Sequence, residues 1–289
     1  MPPLTISQHE RLRNLVRRSP AFIGMKVVVH DDRVEVLHPE ELELGLDTLS
    51  GLVADVPAGQ WPDVVDDYLK QVLELGTRDH VELTGPTEDL LDKVYQRLMV
   101  PPAPPAELPE YAVEFVPGLV LLLALDLPDA VVTINDEHVH RHGLDQLADA
   151  GLVNLTRELP DSYAESDGVY VLQGSVYVGS MVLVLGWVIE AVTGLTETPH
   201  GALVAMPSRE GLVFHVVRER RQTERALEEM AQIAAEWHRE STHWLSHRVF
   251  WWRPDGVVEP VAHYDGTGMV DYSSNEYADM LYDVDRAWD

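Results

Sequence analysis

Three pairs of short alternating runs meet across strong turn signals, and they constrain this chain more than any other feature. Met25–Leu37 reads MKVVVHDDRVEVL, with valines alternating on both sides of Asp31-Asp32. Ala202–Met206 and Gly211–Val217 flank Pro207-Ser-Arg-Glu, and Arg248–Trp252 and Val257–Val261 flank Pro254-Asp-Gly. Such alternation marks β-hairpins, because successive strand side chains face opposite ways and Pro, Asp and Gly fit the turn dihedrals. Strands are also expected at Leu119–Leu125, Ala130–Ile134, Val169–Leu172 and Val176–Val178. Helical periodicity runs through Ser7–Arg18, Leu46–Val56, Asp63–Leu75, Glu88–Leu98, Asp136–Leu155, Met181–Val192 and Gln222–Ser246. Together these runs predict an α+β fold with mixed or antiparallel sheets, built from β-hairpins with packed helices. Asp32–Leu52 and Asp129–Ala150 share a Gly-Leu-Asp-x-Leu step at Gly45 and Gly143. That allows two β-β-α units, each with the Asp as a helix N-cap.

The strongest punctuation is Pro101-Pro-Ala-Pro-Pro-Ala, which favours stiff, extended geometry. It divides the chain into an N-terminal α+β region (1–100), a Pro-rich connector (101–110), a central and C-terminal α+β region (111–264) and an acidic–aromatic tail (265–289). Val169–Val192 is mostly apolar and long enough to raise the question of a membrane span. Its glycines and Glu190 favour a buried strand, a turn and a core helix instead.

Charge and cysteine narrow the function classes. The chain carries 49 Asp and Glu against 21 Lys and Arg, a net charge of −28, and no cysteine. An acidic surface argues against nucleic-acid and anionic-membrane binding, which need a basic face. It favours a protein partner, and a basic one. The absence of cysteine removes disulfides, thiol nucleophiles and Cys-based zinc sites. The first ten residues contain no apolar signal-like run, so a cytoplasmic location is expected.

Histidine is the one residue type whose clustering suggests chemistry. In Glu137-His138-Val-His140-Arg-His142, His138 and His142 stand four apart and share a helix face, a seed for metal binding. The Glu that a metalloprotease HExxH motif places between its histidines is missing. His238, His243 and His247 would not converge if the helix through them were regular. Phosphate-cradling glycine loops and the G-x-S-x-G elbow are absent, and no cofactor is identified. Candidate partner contacts are Trp251 or Trp252, one of which strand alternation turns toward the other face of the sheet, and Tyr272, Tyr277, Tyr282 and Trp288 of the tail.

Three stretches also carry a family resemblance. They are Leu44-Gly-Leu-Asp-Thr-Leu with the Trp61–Leu73 helix, the run Leu121–Leu155, and Gly201–Val217 with Ala205-Met-Pro-Ser-Arg-Glu-Gly-Leu-Val-Phe. Over residues 25–220 the chain resembles the YtpQ-like family of uncharacterised bacterial proteins. It departs from that family at Pro101–Pro105, Ser208, Glu210 and the acidic tail. The resemblance implies a cytoplasmic bacterial protein and supplies no catalytic residues; it draws attention to Arg209 and to Asn154. The expected function is a non-enzymatic binding or regulatory protein acting through its acidic surface, such as an immunity or inhibitor-type partner. The alternatives are a metal-dependent or otherwise unrecognised enzyme using His138 and His142, and a DNA-mimic inhibitor.

Overall fold

The computed structural model describes residues 4–30, 33–38, 42–77, 81–101, 108–127, 130–241, 243–272 and 274–286. The chain divides into two compact units, residues 1–84 and 85–289. In the first, α1 (Ile6–Arg18) precedes an antiparallel sheet of β1 (Lys26–Val29), β2 (Arg33–His38) and β3 (Leu42–Gly45). Then come α2 (Asp47–Ala54), α3 (Trp61–Thr77) and the short α4 (Val81–Thr84). Helix α1 starts with a capping box: Thr5 accepts from the Gln8 backbone and the Gln8 side chain answers. Leu12, Val16, Val34, Leu49, Trp61, Val65 and Leu69 close the core. Pro62 lies in the first turn of α3, where its missing N–H costs nothing. Asp47 is the first residue of α2 and not its N-cap, which is Leu46. Asp145 likewise lies inside the first turn of its helix.

The second unit opens with β4 (Val94–Met99), β5 (Val113–Val116), β6 (Leu119–Leu127) and β7 (Ala130–Thr133), an antiparallel sheet in which β6 pairs with the other three. The helix expected over Glu88–Leu98 is therefore a strand in its second half. Val94, Gln96 and Leu98 are buried while Tyr95, Arg97 and Met99 face the other way, and six residues are in register with β6. Packing on β6 decides between the two periods. This pairing joins segments on either side of the Pro-rich stretch, and the division into units falls at Thr84 and not at Pro101. Residues 102–107 lie outside the described residues.

Next come α5 (Asp136–His142) and α6 (Leu144–Leu155). They replace one expected helix, because Gly143 adopts φ +87° between them. Then follow β8 (Ser162–Ser166), β9 (Val169–Gln173), a 3-10 segment over Val178–Val184, α7 (Leu185–Thr193), β10 (Ala202–Ser208), β11 (Gly211–Val216) and α8 (Arg220–Glu240). The chain continues through β12 (Arg248–Trp252), β13 (Val258–Tyr264), β14 (Met269–Asp271) and α9 (Asn275–Arg286). Seven strands form one sheet in the order β14-β13-β12-β10-β11-β9-β8, every pairing antiparallel. The fold is α+β. Val176–Val178, expected as a strand, is a turn leading into the 3-10 segment. Among the described residues no helix is long and apolar enough to cross a membrane.

Strands β10 and β11 are buried along their whole length because the sheet is covered on both faces. Val204, Phe214 and Phe250 pack with Met181, Leu185 and Ile189 on one side. Leu203, Val213 and Trp251 pack with Ala226, Met230 and Ala234 of α8 on the other. Helix α9 lies beside α8 on that second side, with Tyr277, Met280 and Val284 buried. The acidic tail is thus a strand and a helix folded onto their own sheet. Its sequence period explains this: residues 277, 280 and 284 are one face of a helix.

The Tyr277 ring meets Trp251 edge-on with centroids 5.6 Å apart, yet its buried hydroxyl has no hydrogen-bond partner among the described residues. Tyr277→Ala should cost about 3 kcal/mol, the usual loss for emptying a buried aromatic site. Tyr277→Phe should be neutral or stabilising, because it removes an unsatisfied polar atom. Urea unfolding followed by tryptophan fluorescence checks both, and equal losses for the two variants would contradict the assignment.

Candidate functional site

The histidines of α5 come first. Asn135 caps the helix through a 3.0 Å bond from the His138 N–H, and His140, Arg141 and His142 fill the last turn, where cations suit the helix dipole. The His142 ring is buried, and its Nδ1 lies 3.0 Å from the Thr87 hydroxyl. Among the described residues no group of three or more His, Cys, Asp or Glu is placed to hold a metal ion. The His138/His142 pair gains no third ligand there, and His142 is engaged in packing the loop before β4.

The second histidine group behaves differently from a regular helix. Helix α8 stops at Glu240, because residues 243–246 hydrogen-bond to the end of β10. Leu245 and Ser246 donate to the carbonyls of Pro207 and Met206, and Arg209 donates to that of His243. The chain therefore doubles back and brings together, edge to face, rings that a continuous helix would separate. His238 and His247 have centroids 5.3 Å apart, and His247 and His263 are 5.1 Å apart. His263 stacks on Tyr272, whose hydroxyl meets His263 Nδ1. A cavity of about 370 Å³ borders this ladder, lined by Glu236, His238, Arg239, His247, Tyr264 and Asp265 among others. Burial holds His238 below the ordinary histidine range. Burial and the neighbouring His238, His263 and Arg248 do the same to His247.

A third group forms a polar seam where β4 meets the β10–β11 turn. Leu98 N–H donates to Ser180 Oγ at 2.9 Å, and the adjacent Gly179 N–H donates to the Arg209 carbonyl at 2.8 Å. Gly174 N–H binds the Glu210 carbonyl at 3.1 Å. Gly179 must be glycine, since a Cβ there would stand 2.4 Å from the Ser208 carbonyl oxygen. These backbone bonds fix the turn and bring Arg209 beside Arg97. Around them, Tyr177 donates to Asp126 at 3.0 Å, Tyr95 and Ser175 both donate to Glu158 at 2.9 Å, and His243 Nδ1 contacts Glu210 at 2.6 Å. Tyr95 and Tyr177 stack with centroids 4.1 Å apart. Burial and the proximity of Arg209 pull Arg97 down to about 10. Burial lowers Arg209 as well, against the opposing charge of Glu210. Burial alone would raise Glu210, but its bond to His243 and that charge outweigh it, and Glu210 sits below its ordinary value.

The remaining candidates fall on either side of the surface. Trp251 is 5% exposed and donates to the His200 carbonyl at 3.0 Å. Trp252 packs at the margin of the opposite core. The two tryptophans face opposite sides of the sheet, as strand alternation requires, and Trp252 is the less buried of the two. Asn154 is buried and donates to the carbonyls of Leu91 and Val94 at 2.7 Å, tying α6 to β4; its role is structural. Tyr277 is core, whereas Tyr272 and Tyr282 are exposed. Trp288 lies outside the described residues. Of the residues singled out from sequence, Arg209 joins the seam, and so does His243 through Glu210. Arg97, Tyr95, Tyr177, Asp126 and Glu158 were missed, and the period-two alternation of Val94–Met99 was the available signal for the first two.

No known family model, curated protein or solved structure matches this chain.

His215 is buried too, and its environment lowers it chiefly by desolvation. His215, His238 and His247 thus all bind protons less readily folded than unfolded, where the ordinary value is 6.5. Their contribution to stability is complete above 6.5 and declines as pH falls toward the lower folded values. Urea midpoints taken at about pH 7.5 and 5.5, in salt high enough to screen surface charge, should fall at the lower pH. The drop should be smaller in His247→Gln. A drop of the same size in that variant would count against the ladder.

Proposed function

We propose that this chain is a binding or regulatory protein that presents an acidic outer face to a basic protein partner. The observation that carries this reading is the docking of α9. With Tyr277, Met280 and Val284 buried, Glu276, Asp279 and Asp283 are exposed on the outside together with Tyr282, which is 59% exposed. Neighbouring α8 adds exposed Glu228 and Glu236, while its Arg220 pairs with Glu224 and with Asp285 of α9, so the face carries an excess of acid with some basic residues among it. A helix already held in place loses little conformational freedom on binding, and a surface with an excess of one charge sign steers an oppositely charged partner. An exposed tyrosine among carboxylates supplies apolar contact with a polar tip.

An immunity or inhibitor role fits this chemistry, and a DNA mimic is the special case in which the basic partner is a nucleic-acid-binding protein. A cytoplasmic setting goes with the same reading. The resemblance to the YtpQ-like family is compatible with it and adds no activity. An enzyme using His138 and His142 has less support, given the engagement of His142 with Thr87.

The test is retention of a partner from lysate by the immobilised full chain. Retention should occur at about 50 mM salt and be lost near 500 mM, where screening shortens the reach of charge to a few Å. The triple variant Glu276→Lys, Asp279→Lys, Asp283→Lys should lose it at both. Retention that survives the triple variant would overturn the reading.

A further inference from the structure

Arg97 and Arg209 stand out in a chain where acids outnumber basic residues 49 to 21. Both are half-buried, and the Nε of each is shut off from solvent with no hydrogen-bond partner among the described residues. Every carboxylate around them is held by another donor. Asp126 accepts from Tyr177, Glu158 from Tyr95 and Ser175, and Glu210 meets His243. No described ion pair involves either arginine. Two like charges close together are costly in a partly desolvated place, and Glu210 and Asp126 offset this through space without an ion pair to either arginine. The placement is also imposed by backbone bonds: Leu98 is tied to Ser180, the adjacent Gly179 is tied to Arg209, and both anchors follow directly from the chain path.

We propose that Arg97 and Arg209 form a binding site for a small oxyanion, the carboxylate or phosphate group of a ligand. A guanidinium has donors only, in a planar fork that matches two oxygens of such a group, and two forks side by side supply the charge and the geometry. The local carboxylates bond to tyrosine and serine hydroxyls and to His243, and none forms an ion pair with either arginine. The ring stack of Tyr95 on Tyr177 lies beside it and offers an apolar face to whatever carries the anionic group. This site is separate from the acidic face of α9, and either can fail without the other.

The experiment is thermal unfolding of the full chain with inorganic phosphate, with acetate and succinate, and with sodium chloride at matched ionic strength. It is read by tryptophan fluorescence, which reports mainly on the second unit, since Trp61 is the only tryptophan in residues 1–84. A rise that grows with the logarithm of concentration, about 3 °C at ten times the dissociation constant, is expected for at least one oxyanion and not for chloride. Arg97→Gln and Arg209→Gln should each abolish it, and exposed Arg239→Gln should not. Both seam variants should remain folded in chloride, because each removes a repulsion along with a through-space attraction to Glu210. As a readout independent of folding, the same oxyanion should protect Arg97 and Arg209 of the parent protein from an arginine-modifying dicarbonyl reagent, measured by peptide mass spectrometry. A response to phosphate alone assigns a phosphorylated ligand, and a response to the carboxylates alone assigns an organic acid. The proposal is overturned if no oxyanion exceeds chloride in both measurements, or if the effect persists in the double variant.

Discussion

The second unit depends on burying the β10–β11 hairpin on both faces. A strand pair with no solvent-facing side must be apolar, or hydrogen-bonded where it is not, and must find a cover for each surface. Residues 202–206 and 211–217 meet the first condition, with His215 bonded to the Gly168 carbonyl. The covers come from different parts of the chain. The 3-10 segment and α7 supply one, and α8 with α9 supplies the other. Apart from His215, what is polar in the hairpin lies at its turn, so Ser208, Arg209 and Glu210 are concentrated at one end of the sheet. The seam is in this sense a by-product of the core: the same burial that excludes charge from the strands collects it where they reverse.

Helix α8 shows how a local sequence preference yields to this arrangement. Its apolar stripe is legible, and so is its start. Its end is set by residues 243–246, which exchange helical hydrogen bonds for bonds to the end of β10. One redirection has two effects. It delivers His243 to Glu210 at the seam, and it folds His247 back toward His238 on the other side of the turn.

The hairpins, α1, α2, α3 and α8 were legible because periodicity and turn residues agreed over many positions. Three kinds of feature were not. Glu88–Leu98 has both helical and strand spacing, and only contact with β6 chooses between them. The Asp136–Leu155 helix looked continuous because helical spacing runs through Gly143, whose φ of +87° divides it. Edge strands such as β8, exposed at every position, carry no apolar alternation to read. Site residues fared worse than elements. Arg209 drew attention through a turn motif, but its partner Arg97 lies over a hundred residues earlier on a strand read as helix. Pairings of that kind exist only in the folded topology. Tyr277 was misplaced for the opposite reason: an aromatic residue in an acidic stretch looks like surface, while the packing of α9 makes it core. For Trp251, strand alternation alone does not say which of two adjacent tryptophans is buried under α8.

The docking of α9 has a consequence for how the protein is made. The strands it covers all precede it, so on the ribosome the Leu203–Trp251 side of the sheet is assembled while part of its lid has not yet been synthesised. Until that helix arrives, apolar surface around Trp251 and Val261 stays open to water and to neighbouring chains. A nascent chain stalled before residue 275 is therefore a sticky intermediate, one whose acidic surroundings would be its chief protection against clumping.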